Sequence, residues 1–144
     1  MALQTDGDTE DSVAALNSEY PGARILIVDD DEFIRSILMD MLDDTGLSLD
    51  EAQDGREAVA LCAKAPYALV LMDLLMPVMT GLEATVLIRQ LPRMARTPIL
   101  ALTGNSNVTD RIQCLEAGMS DFITKPIRYE ALASIMLHWL RSGP

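Results

Sequence analysis

Short apolar runs alternate with segments of helical spacing along most of the chain, from about residue 24 onward. The run at residues 68–72 is apolar at every position, which is typical of a strand buried on both faces of a parallel sheet. The segment after Asp54 has one apolar stripe, and Asp54 itself is placed to cap a helix. The predicted strands lie near residues 24–29, 48–53, 68–73, 97–102 and 121–124, and the predicted helices near residues 31–44, 55–65, 81–91, 106–117 and 127–141.

Short connections between alternating strands and helices are typical of βαβ units with right-handed crossovers. We therefore predict an α/β fold over residues 23–141, a single doubly wound parallel sheet of five strands with helices on both faces. Residues 1–22 are polar and acidic and end in Pro21-Gly22. We interpret them as a mobile N-terminal tail with room for one helical turn near residues 11–17, and residues 142–144 as a C-terminal tail.

Composition and charge argue against a membrane protein and against a nucleic-acid-binding protein. A chain of 144 residues with 49% hydrophobic residues is long enough for one globular domain. No apolar stretch approaches the roughly 20 residues of a membrane span, and the start of the chain lacks the features of a secretory signal. We therefore expect a cytoplasmic protein without membrane insertion, with Cys62 and Cys114 as buried, reduced thiols. The net charge of −11 argues against direct binding to nucleic acid.

Polar side chains follow four of the predicted strands. Asp29 and Asp30 follow the first strand, Asp73 the third, Thr103 the fourth and Lys125 the fifth. Because the carboxyl ends of parallel strands meet at one edge of a sheet, we expect these side chains to converge there. The sequence thus predicts a site for a divalent cation and a phosphoryl group.

The expected chemistry is attack on phosphorus by a carboxylate, which must overcome the repulsion between two anions. A hard Mg²⁺ ion held by carboxylates offsets that repulsion. The transferred group spreads negative charge over its oxygens, so that Lys125 can pair with one oxygen and the hydroxyl of Thr103 can donate to another.

The motifs together resemble the receiver domain of two-component response regulators, from about residue 24 to residue 140. They are Asp-Asp after the first strand, DxxMPxMxG from Asp73 after the third, Thr-Gly after the fourth and Lys-Pro after the fifth. The resemblance implies a flavodoxin-like sheet with strand order 2-1-3-4-5. The loop after Asp73 is similar to that of receivers attached to hybrid histidine kinases.

The resemblance also implies roles for individual residues. Asp73 would be the phosphorylated residue, acting with Thr103 and Lys125 as the catalytic groups. The Mg²⁺ ligands would come from Asp29, Asp30 and Asp73 and from the backbone carbonyl of Leu75. Thr103 and Phe122 would form the switch, and the peptide bond before Pro126 would be cis. Thr80 departs from the commonest pattern, since Asp or Asn is usual there. Leu75 and Asn105 flank the expected phosphoryl group, at positions that tune its lifetime in the family.

The leading hypothesis is a phosphorelay receiver that catalyses only its own phosphorylation and dephosphorylation. Its partner would be a sensor histidine kinase or a histidine phosphotransfer protein, docked near Phe33 or Ile34 at the rim of the site. The alternative is a Mg²⁺-dependent phosphatase or phosphotransferase of the haloacid dehalogenase type, which needs a second Asp where this chain has Leu75. A receiver-like scaffold that accepts no phosphate is a third reading. The sequence leaves open whether the chain stands alone or is a domain of a longer protein.

Overall fold

A computed structural model of the chain describes residues 4–104 and 108–142. Five parallel strands form one sheet in the order β2-β1-β3-β4-β5, which confirms the predicted doubly wound α/β fold. The strands are β1 (Arg24–Val28), β2 (Ser48–Ala52), β3 (Leu69–Asp73), β4 (Ile99–Thr103) and β5 (Asp121–Thr124). The helices are α1 (Gln4–Glu19), α2 (Glu32–Met41), α3 (Gly55–Lys64), α4 (Gly81–Arg89), α5 (Val108–Ala117) and α6 (Tyr129–Ser142), with short 3-10 helices at Asp43–Thr45 and Pro92–Met94.

The sheet separates two hydrophobic layers because successive side chains of a strand point to opposite faces. In β3, Val70 and Met72 join one layer, while Leu69 and Leu71 join the other. Helices α3, α4 and α5 cover the first face, and α1, α2 and α6 cover the second. All five residues of β3 are buried, as the unbroken apolar run predicts for a central strand.

Side-chain caps begin the three helices that follow β1, β2 and β3. The carboxylate of Asp31 accepts the backbone N–H of Phe33 at 2.9 Å, which makes Asp31 the cap of α2. Asp54 caps α3 in the same way, as predicted. Thr80 and Glu83 form a capping box at the start of α4, so Thr at position 80 keeps the local turn intact.

The N-terminal segment differs from the expected mobile tail, because α1 occupies residues predicted to be irregular. Leu16 of α1 is fully buried against the layer that contains α6, and Arg141 of α6 donates to both carboxylate oxygens of Glu19, at 3.0 and 2.7 Å. Packing on α6 stabilises a helix whose own sequence has a weak apolar stripe. The other end also differs slightly, since α6 continues to Ser142.

Both cysteines, Cys62 and Cys114, are buried free thiols, as expected. Among the described residues, no helix combines the length and the apolar character that crossing a bilayer requires.

Candidate functional site

The strand-end residues predicted to form a site line one pocket at the carboxyl edge of the sheet. Asp29, Asp30, Asp73, Thr103 and Lys125 all contribute to its wall. Leu75 lines the same pocket while its side chain is 82% exposed. Parallel pairing explains the convergence, because β1, β3, β4 and β5 are neighbours in the sheet and end at the same edge.

Lys125 joins two of the carboxylates. Its Nζ lies 3.2 Å from Oδ1 of Asp73 and 3.4 Å from Oδ2 of Asp29. The backbone N–H of Lys125 donates to the carbonyl of Thr103 at 2.6 Å, which fixes the end of β5 beside β4. The peptide bond between Lys125 and Pro126 is cis, as the family resemblance implies.

Three carboxylates crowd the floor of the pocket. Asp29, Asp30 and Asp73 each place one oxygen within 4.8 Å of the other two. Burial raises the pKa of Asp73 from 3.8 to about 6, and the negative charge of Asp29 adds to the rise while Lys125 opposes it. Burial lowers the pKa of Lys125, but the charges of Asp73 and Asp29 outweigh this effect and the net pKa is raised. The single positive charge of Lys125 does not balance the three carboxylates of the cluster.

This cluster fits a hard divalent cation. Mg²⁺ prefers oxygen ligands and is usually held in proteins by one or two carboxylates together with water and phosphate oxygens. Asp29 and Asp73 are almost completely buried, so that their mutual repulsion is poorly screened by solvent. The residues present match what Mg²⁺ requires.

Asp29 is held in place by several hydrogen bonds that the sequence does not reveal. Its backbone N–H donates to the carbonyl of Ala52 at 3.2 Å, and its Oδ1 accepts the backbone N–H of Asp31 at 2.9 Å. The carbonyl of Asp29 accepts Nη1 of Arg35 at 2.6 Å. Arg35 was not predicted as a site residue, because its only signal in the sequence is its position four residues after Asp31, one helical turn along α2.

The loop that follows Asp73 is tightly packed around the site. Gly81 donates its backbone N–H to the carbonyl of Leu74 at 3.0 Å, and a Cβ atom at Gly81 would overlap the carbonyl oxygen of Asp73. Val78 has φ +72°, and Met79 donates to the carbonyl of Pro77 at 2.8 Å, which is the pattern of a strained three-residue turn. The loop is therefore strained at Val78 and packs closely against the backbone of Asp73.

The two predicted switch residues lie in different places. Thr103 is buried at the end of β4 and lines the pocket. Phe122 of β5 is half-buried outside that pocket, and the guanidinium of Arg111 lies 4.6 Å from the centre of its ring. Asn105, expected to flank the phosphoryl group, lies outside the described residues. Of the two residues expected at the rim, Ile34 is half-buried and lines the pocket, whereas Phe33 is 70% exposed and is not among the lining residues.

Comparison with known proteins gives consistent matches. A family model described as the response regulator receiver domain matches residues 25–137. The chain is 40% identical over 130 residues to hybrid signal transduction histidine kinase B of Dictyostelium discoideum, covering 83% of this chain and 7% of that protein. It is 41% identical over 103 residues to transcriptional regulatory protein ResD of Bacillus subtilis (strain 168), covering 72% of this chain and 42% of that protein.

A solved structure agrees in fold. The crystal structure of the receiver domain of sensor histidine kinase PA1611 from Pseudomonas aeruginosa PAO1 has a magnesium ion coordinated in its active-site cleft. It superposes with a TM-score of 0.79 at 36% identity and covers 83% of this chain and 98% of that one. The chain spans less than half the length of the hybrid kinase and of ResD. From fold, pocket and these matches, the chain belongs to the response regulator receiver domain family.

Proposed function

We propose that this receiver works in a phosphorelay and accepts a phosphoryl group on Asp73. The donor would be a sensor histidine kinase or a histidine phosphotransfer protein, and the output would be protein–protein contact in the cytoplasm. Mg²⁺ would be held by Asp29, Asp30 and Asp73 and by the backbone carbonyl of Leu75. The observation that carries the proposal is the buried carboxylate of Asp73 beside two other carboxylates and 3.2 Å from Lys125.

In this mechanism, an oxygen of Asp73 attacks the phosphorus atom of the donor. The bond between phosphorus and the donor's imidazole nitrogen breaks, and its electron pair stays on the imidazole. Mg²⁺ held by the three carboxylates would supply positive charge that stabilises the phosphoryl oxygens. With a pKa of about 6, Asp73 is mostly ionised at neutral pH and is more basic than an ordinary carboxylate.

Lys125 and Thr103 can stabilise the negative charge of the phosphoryl group. Lys125 is already attracted to Asp73 and Asp29, and it can pair with a phosphoryl oxygen without a large movement. The hydroxyl of Thr103, at the end of the neighbouring strand, can donate to a second oxygen. Water that later attacks phosphorus in line would break the bond between phosphorus and the Asp73 oxygen, releasing inorganic phosphate and the free carboxylate. Catalysis would therefore be limited to the receiver's own phosphorylation and dephosphorylation.

The haloacid dehalogenase alternative is not supported. That chemistry needs an acid two residues after the nucleophile, and Leu75 at this position has no proton to transfer. Leu75 is also 82% exposed.

The acceptor is tested by incubation with acetyl phosphate and Mg²⁺, followed by mass spectrometry of the intact protein. We expect one added phosphoryl group of about 80 Da that is removed by base or hydroxylamine, as an acyl phosphate is. Asp73→Asn should abolish the addition, whereas Asp40→Asn, an exposed aspartate near the end of α2, should be modified like the wild type. Full modification of Asp73→Asn would refute the proposal.

The partner is tested on three exposed apolar residues, of which Leu75 lines the pocket and Phe33 and Val78 lie within two positions of a lining residue in the sequence; Phe33, Leu75 and Val78 are 70%, 82% and 72% exposed. Apolar side chains beside an acidic pocket suit a protein donor whose histidine must reach Asp73. We expect Phe33→Ala to slow transfer from a phosphohistidine protein at least about tenfold, since a contact residue of this kind often carries much of the binding energy. Phosphorylation by acetyl phosphate should stay near the wild-type rate, because a small donor needs no docking surface. Equal loss with both donors would contradict the docking role.

A further inference from the structure

Every main-chain and side-chain hydrogen-bonding group of Asp29 has a partner from a different direction. Its N–H bonds to Ala52 at the end of β2, and its carboxylate bonds to the N–H of Asp31 and faces Lys125. Its remaining group, the carbonyl oxygen, accepts Nη1 of Arg35 at 2.6 Å. Hydrogen bonds to charged donors are stronger than those between neutral groups. Arg35 therefore completes the fixation of a residue at the centre of the acidic cluster.

Arg35 is itself firmly placed. Its side chain is only 12% exposed, and its Nε donates to Oε1 of Glu51 on β2 at 2.8 Å. Its backbone N–H donates to the carbonyl of Asp31 in the first turn of α2. The planar guanidinium thus bridges the edge strand to the carbonyl of Asp29, a geometry that the rigid fork of arginine serves and a single ammonium does not.

The carbonyl that Arg35 holds belongs to the peptide unit between Asp29 and Asp30. Because a peptide unit is planar, fixing its oxygen fixes its N–H and the direction in which Asp30 leaves. We propose that Arg35 is a positioning residue that aligns the Asp29–Asp30 pair for the divalent cation. This inference rests on the proposed function for the identity of the cation and extends it to a residue outside the lining of the pocket.

The direction in which Mg²⁺ affinity changes when Arg35 is replaced distinguishes a positioning role from a purely electrostatic one. Arg35 is a cation close to a site for another cation, so its charge by itself disfavours Mg²⁺. Removing the charge alone would tighten Mg²⁺ binding. Loss of alignment would weaken it, because groups that orient metal ligands typically contribute about 10- to 100-fold to affinity.

The test is a calorimetric titration of the metal-free protein with Mg²⁺ alone. We expect Arg35→Met to bind Mg²⁺ about tenfold more weakly than the wild type. The matched control is Arg24→Met, which removes an equal charge and a comparable ion pair to β2, the 2.7 Å contact with Asp50, without touching Asp29. Arg24→Met should bind Mg²⁺ within about twofold of the wild type, because surface ion pairs are screened by solvent.

A second variant isolates geometry from charge and replaces Arg35→Met if that protein does not fold. Arg35→Lys keeps the positive charge but cannot bond Asp29 and Glu51 together, and we expect about threefold weaker Mg²⁺ binding. Urea unfolding without metal accompanies each titration. A residue that merely supports the fold would change stability while leaving the Mg²⁺ affinity of the folded protein unchanged.

Unchanged or tighter Mg²⁺ binding in the Arg35 variants, or a change equal to that of Arg24→Met, would overturn the inference. The same experiment keeps the two proposals apart. If the wild type binds Mg²⁺ and Asp73 is not phosphorylated, the proposed function fails while the Arg35 titrations still decide positioning. If the wild type does not bind Mg²⁺, both fail.

Discussion

Replacing Asp73 by asparagine should stabilise the metal-free protein at neutral pH, although it destroys the acceptor. The pKa of Asp73 is raised to about 6, first by burial and then by the charge of Asp29, despite the opposing effect of Lys125. Between about pH 4 and pH 6 the folded chain therefore holds a proton that the unfolded chain has released. The free energy of unfolding falls as the pH rises through this window, and the full penalty is present above it.

The magnitude follows from the same pKa. A rise from 3.8 to about 6 corresponds to about 3 kcal/mol if it acts at full strength. The pocket opens to solvent, and screening reduces such contributions, so we expect about 1–2 kcal/mol. Asparagine keeps the shape of the side chain and an oxygen that can accept from Lys125. The variant should therefore melt roughly 3–6 °C above the wild type at pH 7.5.

The assay is urea unfolding in EDTA from pH 3.5 to pH 7.5. The stability difference should be near zero at the acid end, grow between about pH 4 and pH 6, and then stay constant. Asp50→Asn is a control of opposite sign, because hydrogen bonds from Tyr67 and Arg24 lower the pKa of Asp50, so that its charge stabilises the fold. An Asp73→Asn variant that is no more stable than the wild type at pH 7.5, or whose advantage does not vary with pH, would refute the reasoning.

Two further substitutions test the loop after the acceptor by urea unfolding. Gly81→Ala should destabilise the fold by about 3 kcal/mol, because the new methyl group overlaps the carbonyl of Asp73, whereas Gly104→Ala, with open space around it in the described structure, should change stability little. Similar losses at both glycines would contradict this. Val78→Asn should stabilise by about 1 kcal/mol, since asparagine tolerates a positive φ that costs valine strain. The exposed helical position Val86 provides the control, and an equal gain from Val86→Asn would show that strain at Val78 is not the cause.

The sheet and the site could be predicted where an apolar run indicates a strand and a polar residue stands at its end. The apolar run before Asp73 predicts a buried central strand, and β3 is buried throughout. Once the strands are parallel, their polar ends must share an edge, so Asp29, Asp73 and Lys125 converge as predicted. Thr103 differs only in being the last residue of β4 rather than the residue after it.

The features that were missed depend on contacts between distant parts of the chain. Among the described side chains of α1, Leu16 is the only one that is fully buried, so the apolar stripe of this helix is weak and packing against α6 is needed to stabilise it. The need for glycine at position 81 arises from a close approach to the backbone of Asp73. The bond from Arg35 depends on a side-chain conformation that spacing along a helix does not determine.

The ion pair between Glu19 and Arg141 joins the last turn of the first helix to the last turn of the final helix. Strand β1 starts shortly after Glu19, and its far end leads to the acidic pocket, so this pair lies at the opposite edge of the sheet. A tether or label attached near either residue would therefore leave the pocket open. Mechanical force applied between these two neighbouring points would first act on their ion pair and then directly on β1 and α6, because the chain that joins the two points contains the whole sheet.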